Sequence, residues 1–405
     1  MIRSLPPHKP ARVVLAGARG HGSSHLRNIR RLQQGGGAAL VGVCDIVPVP
    51  AEALSGLGRP AQGRDLAGLL EDVRPDITIV STPIQTHADL AVTAMEAGSH
   101  VLLEKPPAPS RAEYERILSC AERTRRACQI GFQDLASQAL PEIARMIEEG
   151  TIGHVQGIGG ACAWVRPMRY FTRSPWAGRR AMDGRPVVDG ALTNPFAHAV
   201  ASALYIAGVT GASDLTGIEV ELYHANPIES DDTSCVRIHS RGGPPITIAA
   251  TLCAATDHEP YLVVHGSRGR ITLLYRRGEI RLESDDVRST AGYPCPDLLE
   301  NLIAHTVHPD AVELLVPLRA MEGFMAIIEA VRTAPEPTAI PAPAHSRVTD
   351  ELGERLTVSG IDDLVTASSE TLSLYSELGA PWACAPICRV FPAARPASEA
   401  PKENA

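Results

Sequence analysis

From Arg12 to Phe132, short β-branched runs alternate with segments of helical period, and this alternation admits few folds. Strand candidates fall at residues 13–16, 39–44, 77–81, 100–103 and 128–131, and helices at 65–71, 87–97 and 110–125 separate several of them. Strands joined through helices run parallel. Helices on both faces then bury the sheet, which explains why the strands read as continuous apolar runs. Ser110 with Glu113 forms a capping box, and Gly98 closes the preceding helix. The reading is a doubly wound α/β domain over residues 1–133, with an amphipathic helix at 139–150 opening whatever follows.

Beyond Asp134 the period changes. Strand-like runs at 155–164, 217–223, 235–239, 247–253, 261–266, 269–275 and 279–282 are joined by Gly- and Pro-containing turns, and one helix at 195–207 interrupts them. This pattern suits an α+β domain over residues 134–341 with a largely antiparallel, open-faced sheet. A helix is expected at 314–333, a surface loop at 334–344, and a C-terminal extension at 342–388 with a helix at 361–378. Residues 389–405 are Pro/Ala-rich without apolar period and are expected to be disordered. A sheet with one uncovered face predicts a homodimer or homotetramer assembled through it.

A chain of 405 residues with 44% hydrophobic and 21% charged side chains can bury two cores. The formal charge of −8, without long Lys/Arg runs, argues against nucleic acid and against a polybasic membrane anchor. Nine scattered cysteines without a Cys-x-x-Cys, and no apolar run near 18 residues, point to a cytoplasmic chain without membrane spans.

The first strand opens into Gly17-Ala18-Arg19-Gly20-His21-Gly22, a dinucleotide fingerprint in which Arg19 replaces the middle glycine. Asp45 ends the second strand 23 positions after Gly22, the spacing at which a carboxylate receives ribose hydroxyls. That carboxylate would repel a 2′-phosphate, which favours NAD while leaving NADP open. Thr82-Pro83 with His87 follows another strand, and Glu104-Lys105-Pro106 follows the next. There a proline ends the strand and aims the lysine before it. Together residues 13–28, Asp45, Pro83, His87 and Glu104-Lys105-Pro106 resemble the Gfo/Idh/MocA family of nicotinamide-dependent oxidoreductases, specifically over residues 11–135 and more weakly to about 340. The resemblance implies that Gly17, Arg19, Gly20, Gly22, Asp45, Thr82, Pro83, His87, Glu104 and Lys105 line the cofactor, and that the substrate is a sugar, cyclitol or related polyhydroxylated compound.

The segment from Val187 to His198 stands where this family carries an Asp and, four positions later, a His. Here Asp189 is followed by Thr193, so His198 is the nearest substitute for the proton-transfer group. Pro195 reads as the first helical residue with Asn194 as its cap, which places Asn194 and His198 on one face of the first turn. Lys105 would bond the reacting oxygen while His198 or Asp189 removes its proton. No His spacing suggests a metal centre. Trp164, Arg166, Tyr170, Arg173 and Trp176 concentrate aromatic faces and guanidinium groups suited to a sugar ring and its polar substituents, or equally to an oligomer contact. Two other readings stay open: a nucleotide-binding sugar sensor without turnover, and an NAD-dependent glycoside hydrolase.

Overall fold

The computed structural model describes residues 9–285 and 287–391. In the first domain β1 (Ala11–Ala16), α1 (Gly22–Gln34), β2 (Ala38–Cys44), β3 (Ala61–Gly63), α2 (Leu66–Val73), β4 (Ile77–Val80), α3 (His87–Glu96), β5 (His100–Leu103), α4 (Arg111–Thr124) and β6 (Cys128–Ile130) follow in order. The sheet is wholly parallel in the order β3-β2-β1-β4-β5-β6. Ile77, Ile79, Val101 and Leu103 are completely buried because helices cover both faces. The order reverses between β1 and β4, and a crevice at the carboxyl ends of these strands is where such sheets bind ligands. Ser110 accepts from the Glu113 amide at 3.3 Å, one half of the expected capping box; Glu113 makes no return bond to the Ser110 amide. Strand β3 has no apolar signature, since it is a short exposed edge.

The second domain contains α5 (Ala139–Glu148), β7 (Val155–Ala163), the small hairpin β8 (Ala181–Met182) and β9 (Arg185–Pro186), α6 (Ala197–Ile206), β10 (Leu215–His224), β11 (Thr233–Ser240), β12 (Ile246–Thr251), β13 (Tyr261–Gly266), β14 (Gly269–Leu274), β15 (Glu279–Ser284), β16 (Arg288–Gly292), α7 (Leu298–Val307) and α8 (Glu322–Thr333). The chain ends with β17 (Thr338–Ala339), β18 (His345–Asp350), β19 (Gly353–Val358), α9 (Ile361–Thr371) and β20 (Ile387–Val390). The large sheet runs β16-β15-β14-β13-β7-β12-β11-β10-β17, with β20 on β10. It is mostly antiparallel, but β7 pairs with β12 in parallel. No helix among the described residues is long and apolar enough to cross a membrane.

Five sequence expectations need correction. Helix α6 starts at Ala197 and its cap position is Phe196, so Asn194 is not a cap. The helix expected at 314–333 is shorter: Pro317 cannot continue an α-helix, and the preceding segment is drawn into an extended bridge in which the Ile130 amide donates to Val316 O at 2.9 Å. Helix α9 stops at Thr371 because Leu372 turns left-handed, freeing Leu374 and Tyr375 to pack beside Trp382. Residues 389–390 belong to a strand, while 392–405 lie outside the described residues.

The fifth correction concerns the uncovered face. Helices α6 and α8 pack on one side of the sheet, and α9 occupies the other across β7, β12 and β13. The chain itself thus covers the central part of the face reserved in the sequence reading for a partner subunit. Close approach is possible because β7 carries glycines: a Cβ on Gly159 would sit 1.9 Å from Ser369 O. Arg270 pairs with Glu370 at 2.9 Å, and Arg237 pairs with Glu377 just beyond α9. Gly159→Val is expected to push α9 off the sheet and destabilise the chain by roughly 1–3 kcal/mol, the usual range for overpacking. A thermal melt reads this directly, and an unchanged Tm would contradict the docking account.

Candidate cofactor and substrate site

The turn after β1 is shaped by two glycines. Gly17 has φ +84°, and a Cβ there would meet Ser81 O at 2.4 Å. A Cβ on Gly22 would lie 1.9 Å from Gly17 O. The backbone therefore folds tightly over the end of β4. Among the described residues the amides of Arg19, Gly20 and His21 have no protein acceptor, so three donors stand free at the start of α1. Free amides at a helix N-terminus fit a dinucleotide pyrophosphate. Arg19 does not enter the turn; its guanidinium donates to Pro48 O at 3.1 Å and approaches Asp45 at 3.9 Å.

The Asp45 side chain is largely covered and braces this loop, accepting from the Ala18 amide at 3.0 Å and the Val47 amide at 3.1 Å. Each carboxylate oxygen keeps room for a further donor such as a ribose hydroxyl. NAD(H) is expected to bind more tightly than NADP(H), and Asp45→Ala should narrow that preference by about tenfold, the loss of one charge-assisted hydrogen bond. Titration of both nucleotides checks this; a wild-type preference for NADP(H) would mean that Arg19 governs the pocket.

Glu104 is buried at the end of β5, where His25 Nε2 lies 2.9 Å and His21 Nε2 3.2 Å from its Oε1. Burial opposes its charge, yet the two imidazole hydrogen bonds hold the carboxyl well below the usual range. The hydrogen bond to Glu104 in turn raises the pKa of His21. The three ligand atoms lie within 4.8 Å of one another, a spacing a cation would also tolerate, and here they satisfy one another by hydrogen bonding. Neither histidine was legible as a site residue in the sequence.

His21 is half-exposed beside the free amides, with Glu104, Lys105 and Arg27 as its charged neighbours. Its positive charge persists below the raised pKa and disappears as pH climbs through it. NADH affinity should therefore decline with rising pH across that interval, and His21→Gln should flatten the decline. Identical pH dependence in the variant would show that His21 does not face the pyrophosphate.

His87 is buried with Nδ1 2.9 Å from Pro106 O and Nε2 2.9 Å from Thr82 O, so it ties together the loops after β4 and β5. Desolvation lowers its pKa and favours the neutral ring. The structure places it as a brace behind Thr82, Pro83 and Lys105. Lys105 projects from β5 into the junction between the domains, and its Nζ donates to Asn194 O at 2.8 Å and Asn194 Oδ1 at 2.9 Å. Desolvation lowers its pKa as well, against the opposing fields of Glu104, Asp189 and Asp134.

Asn194, released from the expected capping role, instead spans the site. Its Nδ2 donates to Asp189 Oδ1 at 2.5 Å, while Asp189 Oδ2 accepts from the Gly178 amide at 2.8 Å and from Arg173 at 3.3 Å. Asp189 is thus occupied by donors and orients Asn194 and Arg173. Thr193 is buried, donating to Val188 O at 2.6 Å and accepting from the Gly190 amide at 3.0 Å; it shapes the loop and does not face the site. His198 packs edge-on against Phe132, with Nδ1 3.1 Å from Asp134 Oδ2 but off the hydrogen-bond line. Its Nε2 has no protein partner among the described residues. Asp134, which served only as a boundary marker in the sequence, is the carboxylate that lies beside this imidazole.

Beyond Asp189 the aromatic segment forms a ladder. Arg173 lies over Tyr170 (3.9 Å) and Trp176 (4.8 Å), Arg166 over Trp164 (4.5 Å) and Tyr170 (5.4 Å), and Trp164 packs on Phe196 at 4.4 Å. Trp164, Arg166, Tyr170, Arg173 and Trp176 therefore form one connected surface, joined to Lys105 through Asp189 and Asn194.

Residues 11–132 match the NAD-binding Rossmann model of the GFO_IDH_MocA oxidoreductase family, and residues 141–272 match the C-terminal domain model of the same family. The chain belongs to the Gfo/Idh/MocA family. Among its relatives, inositol 2-dehydrogenase of Salmonella typhimurium is 32% identical over 135 residues, 33% of this chain and 40% of that protein. A glycosyl hydrolase family 109 protein of Saccharopolyspora erythraea is 30% identical over 185 residues, 42% of this chain and 39% of that one. The WlbA dehydrogenase structure from Chromobacterium violaceum, solved with NADH and UDP-GlcNAcA, superposes with a TM-score of 0.68 at 21% identity, covering 82% of this chain and 96% of that one. As in other Gfo/Idh/MocA proteins, an NAD-binding Rossmann domain precedes a domain built on a mostly antiparallel sheet.

Proposed function

We propose that this chain transfers hydride between NAD(H) and a secondary alcohol or ketone of a sugar, cyclitol or related polyhydroxylated compound. The observation that carries the reading is the ammonium of Lys105, presented by the Rossmann sheet to Asn194 of the second domain at the domain junction. Bound nicotinamide supplies the hydride acceptor or donor. Lys105 has three N–H groups, two of them held by Asn194, so a third can meet a substrate oxygen and stabilise the alkoxide character that develops there. The free Nε2 of His198, with Asp134 behind the ring, takes the alcohol proton. Asp189 keeps Asn194 turned toward Lys105, and the Trp164–Trp176 segment receives the apolar face of the ring. The similarity to inositol 2-dehydrogenase supports this substrate class.

The similarity to a glycosyl hydrolase family 109 protein favours one second reading, in which hydride abstraction initiates glycoside cleavage and the cofactor is regenerated. Protein stripped of nucleotide and supplied with NAD⁺ separates the two on a panel of free polyols and aryl glycosides. Net NADH from polyols supports the dehydrogenase. Free reducing sugar without net NADH supports the hydrolase, and neither product from any compound removes both. We propose a homodimer or homotetramer, with the exposed edge strand β16 as the surface available for pairing.

A further inference from the structure

The arginines around the substrate surface fall into two groups. Arg173 is paired with Asp189, Arg179 with Glu229 and Arg277 with Glu259, while Arg180 donates to the carbonyls of Val331, Arg332 and Ala334. Carboxylates meet the first three charges, and carbonyls hold Nη2 of Arg180 while its Nη1 is buried without a partner. Arg166 and Arg276 differ. Both lie over the same indole, Arg166 at 4.5 Å and Arg276 at 5.3 Å from the Trp164 ring. Arg166 Nη1 donates to the Val165 carbonyl at 2.8 Å, but its nearest carboxylate is that of Asp257, 3.9 Å away and itself 59% exposed, and Arg276 has no carboxylate within 4 Å among the described residues. The Arg166 side chain is only 25% exposed. Desolvation and then the field of Arg276 lower its pKa, against the fields of Tyr170 and Asp257.

Two like charges have been brought to one aromatic ring, one of them largely out of water, without a full counter-charge. A cation–π contact offsets only part of the cost of burying an unpaired ion. The arrangement is explained if a bound anion completes it. Trp164 packs on Phe196, two residues from the Asn194 that holds Lys105, so this cationic end belongs to the same substrate surface as the reacting end.

We propose that Arg166, Trp164 and Arg276 form an anion subsite, and that the substrate is a polyhydroxylated compound carrying a carboxylate or phosphate group. The inference rests on the dehydrogenase reading for the placement of the reacting carbon. Guanidinium forks meet carboxylates and phosphates in the same bidentate manner, so both sources satisfy the geometry.

The test uses full-length protein saturated with NADH, titrated calorimetrically with glucuronate, glucose 6-phosphate and glucose at one ionic strength. At least one anionic probe should bind about tenfold or more tightly than glucose, the advantage expected from one charge-assisted contact. The Arg166→Gln/Arg276→Gln double variant should bring the probes to within about twofold of one another while NADH affinity stays at the wild-type value. Arg276→Gln alone, at an exposed position, should lose part of the preference in a background free of core changes. Preference confined to glucuronate assigns a carboxylate, and preference confined to glucose 6-phosphate assigns a phosphate. Glucose binding as tightly as both anions, or a preference that survives in the double variant, would overturn the subsite. Anion preference without NAD⁺ reduction by any compound would leave the subsite standing and remove the dehydrogenase reading. NAD⁺ reduction by neutral polyols without anion preference would do the reverse.

Discussion

Lys105→Ala is expected to lower turnover by roughly two to three orders of magnitude, the range for losing one donor to a developing oxyanion, while NADH affinity stays within about twofold of wild type. The asymmetry follows from position. Lys105 Nζ points at Asn194 across the domain junction, whereas the free amides of the pyrophosphate turn belong to residues 19–21. Its backbone is fixed independently of its side chain, because Glu104 is held by His21 and His25, and Pro106 O by His87. The truncation therefore removes an ammonium without collapsing the loop. Steady-state rates beside NADH titration measure both halves, and near-normal turnover would end the catalytic assignment.

His198→Asn should lower kcat by roughly two to four orders of magnitude. The imidazole sits in the first turn of α6, packed against Phe132 with Asp134 beside Nδ1, which leaves Nε2 directed away from protein partners. Asp134→Asn should reproduce part of the loss through kcat with little change in KM, because it acts by orienting the ring. Asp189→Asn provides the contrast. That carboxylate already accepts from Gly178, Arg173 and Asn194, so its loss should loosen substrate binding and raise KM. Were Asp189→Asn to abolish kcat while His198→Asn stayed nearly silent, the proton-transfer role would pass to the aspartate.

How far these residues could be read from sequence depended on the range of the interactions that place them. The parallel sheet was legible because its strands are buried on both faces and leave unbroken apolar runs, as in Ile77–Val80. The helix expected at 314–333 overran because apolar period continues through Pro317, where the backbone is recruited by β6. Helix α7 went unread although Asp297 caps it by accepting from the Glu300 amide at 2.9 Å. Lys105, Asp189 and Asn194 could be found from local motifs, although the partnership of Asn194 with Lys105 could not. His25 with Glu104, His198 with Asp134 and Arg276 with Trp164 are pairings made by tertiary packing. The first of them joins positions 79 residues apart, and no local pattern announces it. The docking of α9 was missed for a related reason, since glycines in β7 read as weak strand residues until a helix is laid across them.

The central claim is that Lys105 and His198 frame a carbon from which hydride passes to nicotinamide. Its most direct measurement is isotopic: protein, NAD⁺ and a mixture of perdeuterated sugars, sugar acids and cyclitols are incubated together, and the nucleotide is analysed by mass spectrometry. The account predicts deuterium on the reduced nicotinamide with wild-type protein, and a rate of incorporation roughly two to three orders of magnitude lower with Lys105→Ala. Nucleotide that stays unlabelled with every compound, or labelling that proceeds equally in the Lys105→Ala variant, would contradict it.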